Sequence, residues 1–289
     1  MRAYRYRLLN VFAETIFGGN PLCVFEDARG LEDAEMQALA LQFNLSETTF
    51  ILPSQTATRR VRIYTPGYEM PFAGHPTLGT AQVVRAMTGV GDSLTLEMQA
   101  GVVAVTALAD TWTLSAPSPR SATRRPLCRD AQIAAQLGVR VEDMLSEPLW
   151  VDTGADQLLV PLRTAAAVQQ ARPDAALLDT WEASKAGRRV AYLFAFDGHN
   201  ADGVAQVVAR YFFVKPAGGV VEDPGTGSAC ANLGGWHIAT GRSLPARVRV
   251  EQGVQAGRPC VLGLELTDAG AIRVSGQVLE LGSGVVNLP

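Results

Sequence analysis

A stretch of this chain recurs after 148 residues without a gap, and that repeat limits the folds open to it more than any other feature. Setting residue i against residue i+148 pairs Arg62 with Arg210, Tyr64 with Phe212, Pro76 with Pro224, Gly79 with Gly227, Thr80 with Ser228 and Ala81 with Ala229. His75 falls opposite Asp223. Each copy reads as a strand, a glycine-bearing turn, a proline at the first helical position and a helix of small residues. Further on, Leu94–Gly101 resembles Val248–Gly253. Solenoid repeats run to about 20–50 residues, well short of this period. The repeat therefore predicts two similar domains related by a pseudo-twofold axis, with both helix N-termini at one cleft.

The second copy, Glu222 to Ala231, predicts Asp223 as an N-cap and Pro224 at the first helical position, where a missing N–H costs nothing. Gly225 and Gly227 let the backbone approach a ligand closely. The segment from Ser228 to Ala239 is small and apolar on nearly every face, as a core helix would be. Free N–H groups and a partial positive charge at such a helix start suit an anion, here a small carboxylate.

A chain of 289 residues accommodates two ordinary domains, and 47% hydrophobic with 18% charged residues predicts large cores. The formal charge of −3 offers no electrostatic footprint for nucleic acid or an anionic membrane. No apolar run of about 18 residues is present, and the N-terminus alternates like a strand, so the expected location is the cytoplasm. The four cysteines, at 23, 128, 230 and 260, show no CxxC spacing, which argues against zinc. Cys23, Cys230 and Cys260 read as buried small hydrophobes.

In chain order, strands are expected at Tyr4–Phe12, Leu22–Phe25, Thr48–Leu52, Arg60–Tyr64, Leu94–Met98, Val102–Leu108, Gln157–Leu162, Val190–Phe196 and Val207–Val214. Helices are expected at Asp33–Leu41, from the first turn motif to about Met87, near Asp130–Leu137 and around Ala175–Ala186. Pro117–Pro126, proline-rich and basic, reads as a linker.

Glu47 precedes a buried-looking β-branched and aromatic run. It reads either as an exposed strand-start residue or as a general acid/base whose pKa is raised by desolvation. The second copy has no acid there, only Ala191 or Ala195. His75 is either a polar residue satisfied by a turn or a proton carrier beside the anion, and Asp223 either a cap or a substrate contact. Ser228 and Thr80 can also simply bond helix backbone. Gly225-Thr226-Gly227-Ser228 lacks the lysine of a GxxxxGK[ST] loop and the GxGxxG spacing, so no nucleotide loop is read. With three histidines and no G-x-S-x-G elbow, a Ser/His/Asp hydrolase is disfavoured.

Phe43-Asn44-Leu45-Ser46-Glu47-Thr48, Phe72-Ala73-Gly74-His75-Pro76-Thr77-Leu78-Gly79 and Glu222-Asp223-Pro224-Gly225-Thr226-Gly227-Ser228-Ala229 together resemble the PhzF-like family, named for a phenazine-biosynthesis isomerase. Gly19-Asn20-Pro21 and the Gln252-Gly253…Gly257-Arg258-Pro259 segment resemble it too, while Gly225 stands where the family commonly has Ala. The resemblance implies a diaminopimelate-epimerase-like α/β (α+β) fold. Two pseudo-symmetric domains, 1–117 completed by about 276–289 and 127–275, would each curl a sheet around a central helix. It also implies a cofactor-independent isomerase, usually a homodimer, with no metal.

On that footing Glu47, His75 and Asp223 are the catalytic candidates. Gly74, Pro76, Thr77, Gly225, Thr226, Gly227 and Ser228 are the substrate-binding ones. In the namesake the substrate is trans-2,3-dihydro-3-hydroxyanthranilate. An epimerase of an amino-acid derivative and a non-catalytic metabolite-binding protein are the alternatives. Racemases sharing this fold use two facing thiols, and Ala73 and Pro224 stand in their places here, so a one-carboxylate proton shift fits better.

Overall fold

The structure is a computed structural model that describes residues 1–116, 122–215 and 218–289. The chain divides into two compact units, Met1–Ser115 with Ser275–Pro289, and Ala116–Val274. The first unit opens with β1 (Arg2–Val11), β2 (Asn20–Phe25), α1 (Asp33–Phe43), β3 (Glu47–Leu52) and β4 (Arg59–Tyr64). It continues through β5 (Glu69–Met70), α2 (Gly74–Thr88), β6 (Ser93–Met98), β7 (Gly101–Leu108) and β8 (Thr111–Ser115).

The second unit holds β9 (Ala122–Arg124), α3 (Asp130–Leu137), β10 (Leu149–Asp152), β11 (Asp156–Pro161), α4 (Ala165–Gln170) and β12 (Val190–His199). Then come β13 (Ala205–Val214), β14 (Val220–Asp223), α5 (Gly227–Ala239), β15 (Ala246–Gln252) and β16 (Cys260–Leu266). The last strand, β17 (Ile272–Leu288), starts in the second unit and ends in the first.

In the first unit the strands pair in the order β1, β2, β3, β4, β6, β7, β8, β17, and β17 pairs back with β1. The sheet thus closes into a barrel and leaves no open edge. Inside it lies α2, against β1, β2, β3, β4, β6 and β8. Its residues from His75 to Ala81 are all buried. Gly79 permits this fit, because a Cβ there would come within 2.5 Å of Leu22 Cδ2 and 2.9 Å of Val11 Cγ2. Gly89, in the left-handed conformation at φ +67°, ends the helix. No helix among the described residues is long and apolar enough to cross a membrane.

The second unit repeats the scheme, with β9, β10, β11, β12, β13, β15 and β16 side by side. The parallel pairs β11–β12 and β13–β15 answer β2–β3 and β4–β6. The fold class is α+β, as the sequence predicts.

Several expected elements change. Residues 117–121 of the expected linker lie outside the described residues. Its Ala122–Arg124 portion is strand, antiparallel to β10. There Arg124 lies 4.3 Å over the Trp150 ring and pairs with Asp156 and Glu182, which orders a stretch that reads as solvated. The helix expected at Ala175–Ala186 is a short 3-10 turn, Ala175–Thr180, capped by Asp174.

The repeat itself is out of step at the helices. Arg62 and Arg210 keep the offset of 148, and each grips a glutamate bidentately, Glu69 with both distances 2.7 Å and Glu222 at 3.0 and 2.7 Å. Those glutamates stand 153 apart in the chain. Five extra residues therefore enter across β13–β14, whose turn and second strand are longer than those of β4–β5. Beyond that point Pro71 answers Pro224, Gly74 answers Gly227, and His75 answers Ser228 rather than Asp223. The caps move accordingly. The N-cap of α5 is Thr226, not Asp223, and that of α2 is Ala73, which puts Pro76 third in the helix. A proline is accepted anywhere in the first turn, where N–H groups lack intrahelical acceptors, so its presence marks the start only to within a few residues.

Candidate active site

Glu47 opens β3 opposite Leu22 of the parallel strand β2. Its side chain is 15% exposed, so it is the partly buried rather than the solvated of the two alternatives. Thr48 to Ile51 behind it are buried, which fixes the carboxylate at the strand mouth. Strand pairing puts Val190 at the equivalent place in the second unit, since Thr48 faces Tyr64 and Ala191 faces Phe212. An acid therefore stands here in one copy alone, and its counterpart is Val190 and not Ala191 or Ala195.

His75, second residue of α2, has a side chain 7% exposed, and its Nε2 lies 3.2 Å from Glu47 Oε2. Nε2 makes no aligned hydrogen bond, whereas the ring also bonds the Pro21 backbone. The Pro21 carbonyl is thus assigned to Nδ1–H. Burial pushes the imidazole pKa down to about 3, against a smaller upward pull from the Pro21 bond. The ring is therefore neutral, with its proton on Nδ1 and an unprotonated Nε2 3.2 Å from Glu47 Oε2.

Gly74 is the first helical residue, Pro76 the third and Thr77 the fourth. Thr77 Oγ1 donates to the Ala73 carbonyl at 2.7 Å and so serves its own helix. The N–H groups of Gly74 and His75 are first-turn donors of the kind that binds anions.

In the second unit Asp223 ends β14, and Thr226 Oγ1 donates to its Oδ2 at 2.5 Å. Gln252 braces both, its Nε2 donating to the Asp223 carbonyl at 2.8 Å and to Thr226 Oγ1 at 3.0 Å. Gly253, at φ +81°, lets this turn close, for a Cβ would sit 2.4 Å from the Pro224 carbonyl oxygen. Gly225 and Thr226 are buried, while Gly227 and Ser228 are partly exposed at the opening of α5. Ser228 Oγ does not contact Asp223. It accepts from Gln157 Nε2 at 3.0 Å.

The structure therefore joins Glu47 with His75, and Asp223 with Thr226. Gln157, Asn232 and Gln252 are polar and buried at this site, and sequence reading missed them as site residues. The signal was available for Gln252 in the repeat, where it answers Met98, a polar residue standing for an apolar one. The thiols stand apart from this chemistry: burial pushes Cys230, fourth residue of α5, up to about 12, and Cys23 higher still. The helix caps that answer one another are Ala73 and Thr226 rather than Ala73 and Pro224, and neither is a cysteine.

The sequence profile of the PhzC-PhzF family, phenazine biosynthesis-like proteins, matches residues 9–284. An uncharacterized isomerase of Pasteurella multocida is 38% identical over 99% of this chain and 95% of its own. Trans-2,3-dihydro-3-hydroxyanthranilate isomerase of Pseudomonas aeruginosa is 34% identical over 97% of this chain and 98% of its own. The crystal structure of a PhzF-family phenazine biosynthesis protein of Bacillus anthracis superposes with a TM-score of 0.86 over the whole of both chains, at 22% identity, which is a likeness of fold.

Proposed function

This chain belongs to the PhzF family of phenazine biosynthesis-like proteins and is an isomerase, and we propose that it moves a proton between carbons of a small carboxylate substrate without a cofactor. The observation that carries the reading is the Glu47 carboxyl held 3.2 Å from a neutral, tautomer-fixed His75. Glu47 as carboxylate takes a proton from an activated C–H bond of the substrate. The resulting carboxylic acid donates toward His75 Nε2 until it returns the same proton to another carbon, so no atom is gained or lost. The His75 ring needs no charge change in this cycle, which matches its burial.

The substrate carboxylate is assigned to the opening of α5. There the Gly227 and Ser228 N–H groups act with the helix dipole, and Gly225 permits close approach. Asp223, steadied by Thr226 and Gln252, orients an amine or hydroxyl of the substrate. Gly74 contributes its N–H group, while Pro76 and Thr77 shape the wall. The Pseudomonas aeruginosa relative's name supplies the substrate type, trans-2,3-dihydro-3-hydroxyanthranilate. A homodimer is the assembly proposed with it.

Proton NMR in D₂O with that compound is the test. Isomer formation with deuterium or retained proton at one ring carbon supports the proposal. Exchange at a Cα with inversion, found with amino-acid derivatives instead, would make the protein an epimerase.

A further inference from the structure

Gln157, second residue of β11 and 4% exposed, occupies the middle of a directed chain of hydrogen bonds behind the α5 opening. The chain is anchored at Asn232, fully buried, by two backbone groups whose polarity is not open to choice. The Thr153 N–H donates to Asn232 Oδ1 at 2.9 Å, and Asn232 Nδ2 donates to the Ala155 carbonyl at 2.7 Å. Those two bonds decide which end of the amide is oxygen. Asn232 Nδ2 also donates to Gln157 Oε1 at 2.8 Å. The Gln157 nitrogen must then face the other way, 3.0 Å from Ser228 Oγ and 3.2 Å from the Tyr211 hydroxyl.

An amide nitrogen only donates, so Ser228 Oγ accepts and its own hydrogen points away from the network. No acceptor for that hydrogen is found among the described residues. In the first unit the residue that answers Ser228 has the opposite polarity. His75 is second in α2 as Ser228 is second in α5, while by strand register Gln157 answers Leu22, the residue after Pro21. Pro21 supplies a carbonyl, so His75 donates inward and keeps a lone pair outward. Gln157 supplies an amide nitrogen, so Ser228 accepts inward and keeps a hydrogen outward.

We propose that Gln157 is a positioning residue that sets Ser228 as a hydrogen-bond donor, so that the α5 opening takes an acceptor such as a carboxylate and discriminates against its absence. The proposal rests on the carboxylate reading given above for this opening. Asn232 and Thr153 act through Gln157 by fixing its orientation.

Calorimetric titration of the full chain with anthranilate and with aniline, which differ by the carboxylate, tests it. The proteins are wild type, Gln157→Glu, Gln157→Met, Ser228→Ala and the double variant Ser228→Ala with Gln157→Glu, at pH 8, with a thermal melt for each. Gln157→Glu keeps the acceptor for Asn232 but, at pH 8, turns the Ser228 hydrogen inward. Anthranilate affinity then falls about 10- to 100-fold. Gln157→Met loses affinity in the same direction with no added charge, and Gln157→Glu adds no loss once Ser228 is alanine.

Unchanged anthranilate affinity in Gln157→Glu and Gln157→Met overturns the proposal. So does an equal loss with and without the Ser228 hydroxyl, which would be plain charge repulsion. A wild type that does not prefer anthranilate over aniline removes the carboxylate reading itself, whatever the variants do.

Discussion

His75 Nε2 stands 3.2 Å from Glu47 Oε2 while the other ring nitrogen is engaged by the Pro21 carbonyl. The imidazole is thus pinned in one tautomer, with its unprotonated nitrogen beside the carboxyl group. On the proposed reading, a neutral ring beside Glu47 suits the protonated state through which a proton carrier passes. Val190 at the answering place in the second unit means that the duplicated scaffold supplies this device once.

Replacing Glu47 by Gln keeps the shape of the side chain and removes its basicity. Turnover of trans-2,3-dihydro-3-hydroxyanthranilate should fall by about 10²–10⁴-fold, with anthranilate binding retained. Steady-state kinetics and calorimetry check this together, and a variant as active as wild type would take Glu47 out of the mechanism.

Burial holds the His75 ring at about 3, whereas in the unfolded chain it titrates near 6.5. Between those values the unfolded chain carries the extra proton and the native one does not, so stability rises with pH across that window. The contribution is complete above about pH 6.5 and is lost progressively as the pH falls toward about 3. His75→Asn should therefore show a flatter Tm against pH in this range than wild type. His237, also pushed down by burial, gives a slope of the same sign in both proteins. Equal slopes would mean that the His75 ring is not held neutral.

Arg210, with a side chain 5% exposed, is held bidentately by Glu222 and also donates to the carbonyls of Val168, Gln169 and Ala171 beyond β13. Glu222→Gln leaves a buried guanidinium uncompensated and should cost about 3–5 kcal/mol. Glu69→Gln should cost less, because Arg62 keeps Asp33 as a second partner and is more exposed. Urea denaturation gives both values, and the reverse order would refute the argument from burial.

Much of this arrangement was legible in the chain. The recurrence of Arg62 and Arg210 announces two copies of one unit, and the β-branched run after Glu47 announces a strand, with the burial of Glu47 left open between two readings. The pairing of His75 with Asp223 does not hold, because a fixed offset cannot register five residues added across the β13–β14 hairpin. Prolines compounded the error, since Pro76 and Pro224 look alike yet stand inside and before their helices. Gln157 and Asn232 gave no local signal at all. Each is an ordinary polar residue in an apolar setting, and only strand β11 lying beside α5 makes them partners.

By itself the sequence determined the duplication, the glycine positions that allow close approach and the chemical groups present, because propensity and spacing are local properties, while the α+β class came from the motifs that resemble the family. Tertiary structure alone decided which groups meet: Glu47 with His75, Thr226 with Asp223, Gln157 with Ser228. It also decided the direction of each hydrogen bond, for polarity is inherited from backbone groups far away in the chain, and no pattern of neighbours along the sequence encodes it.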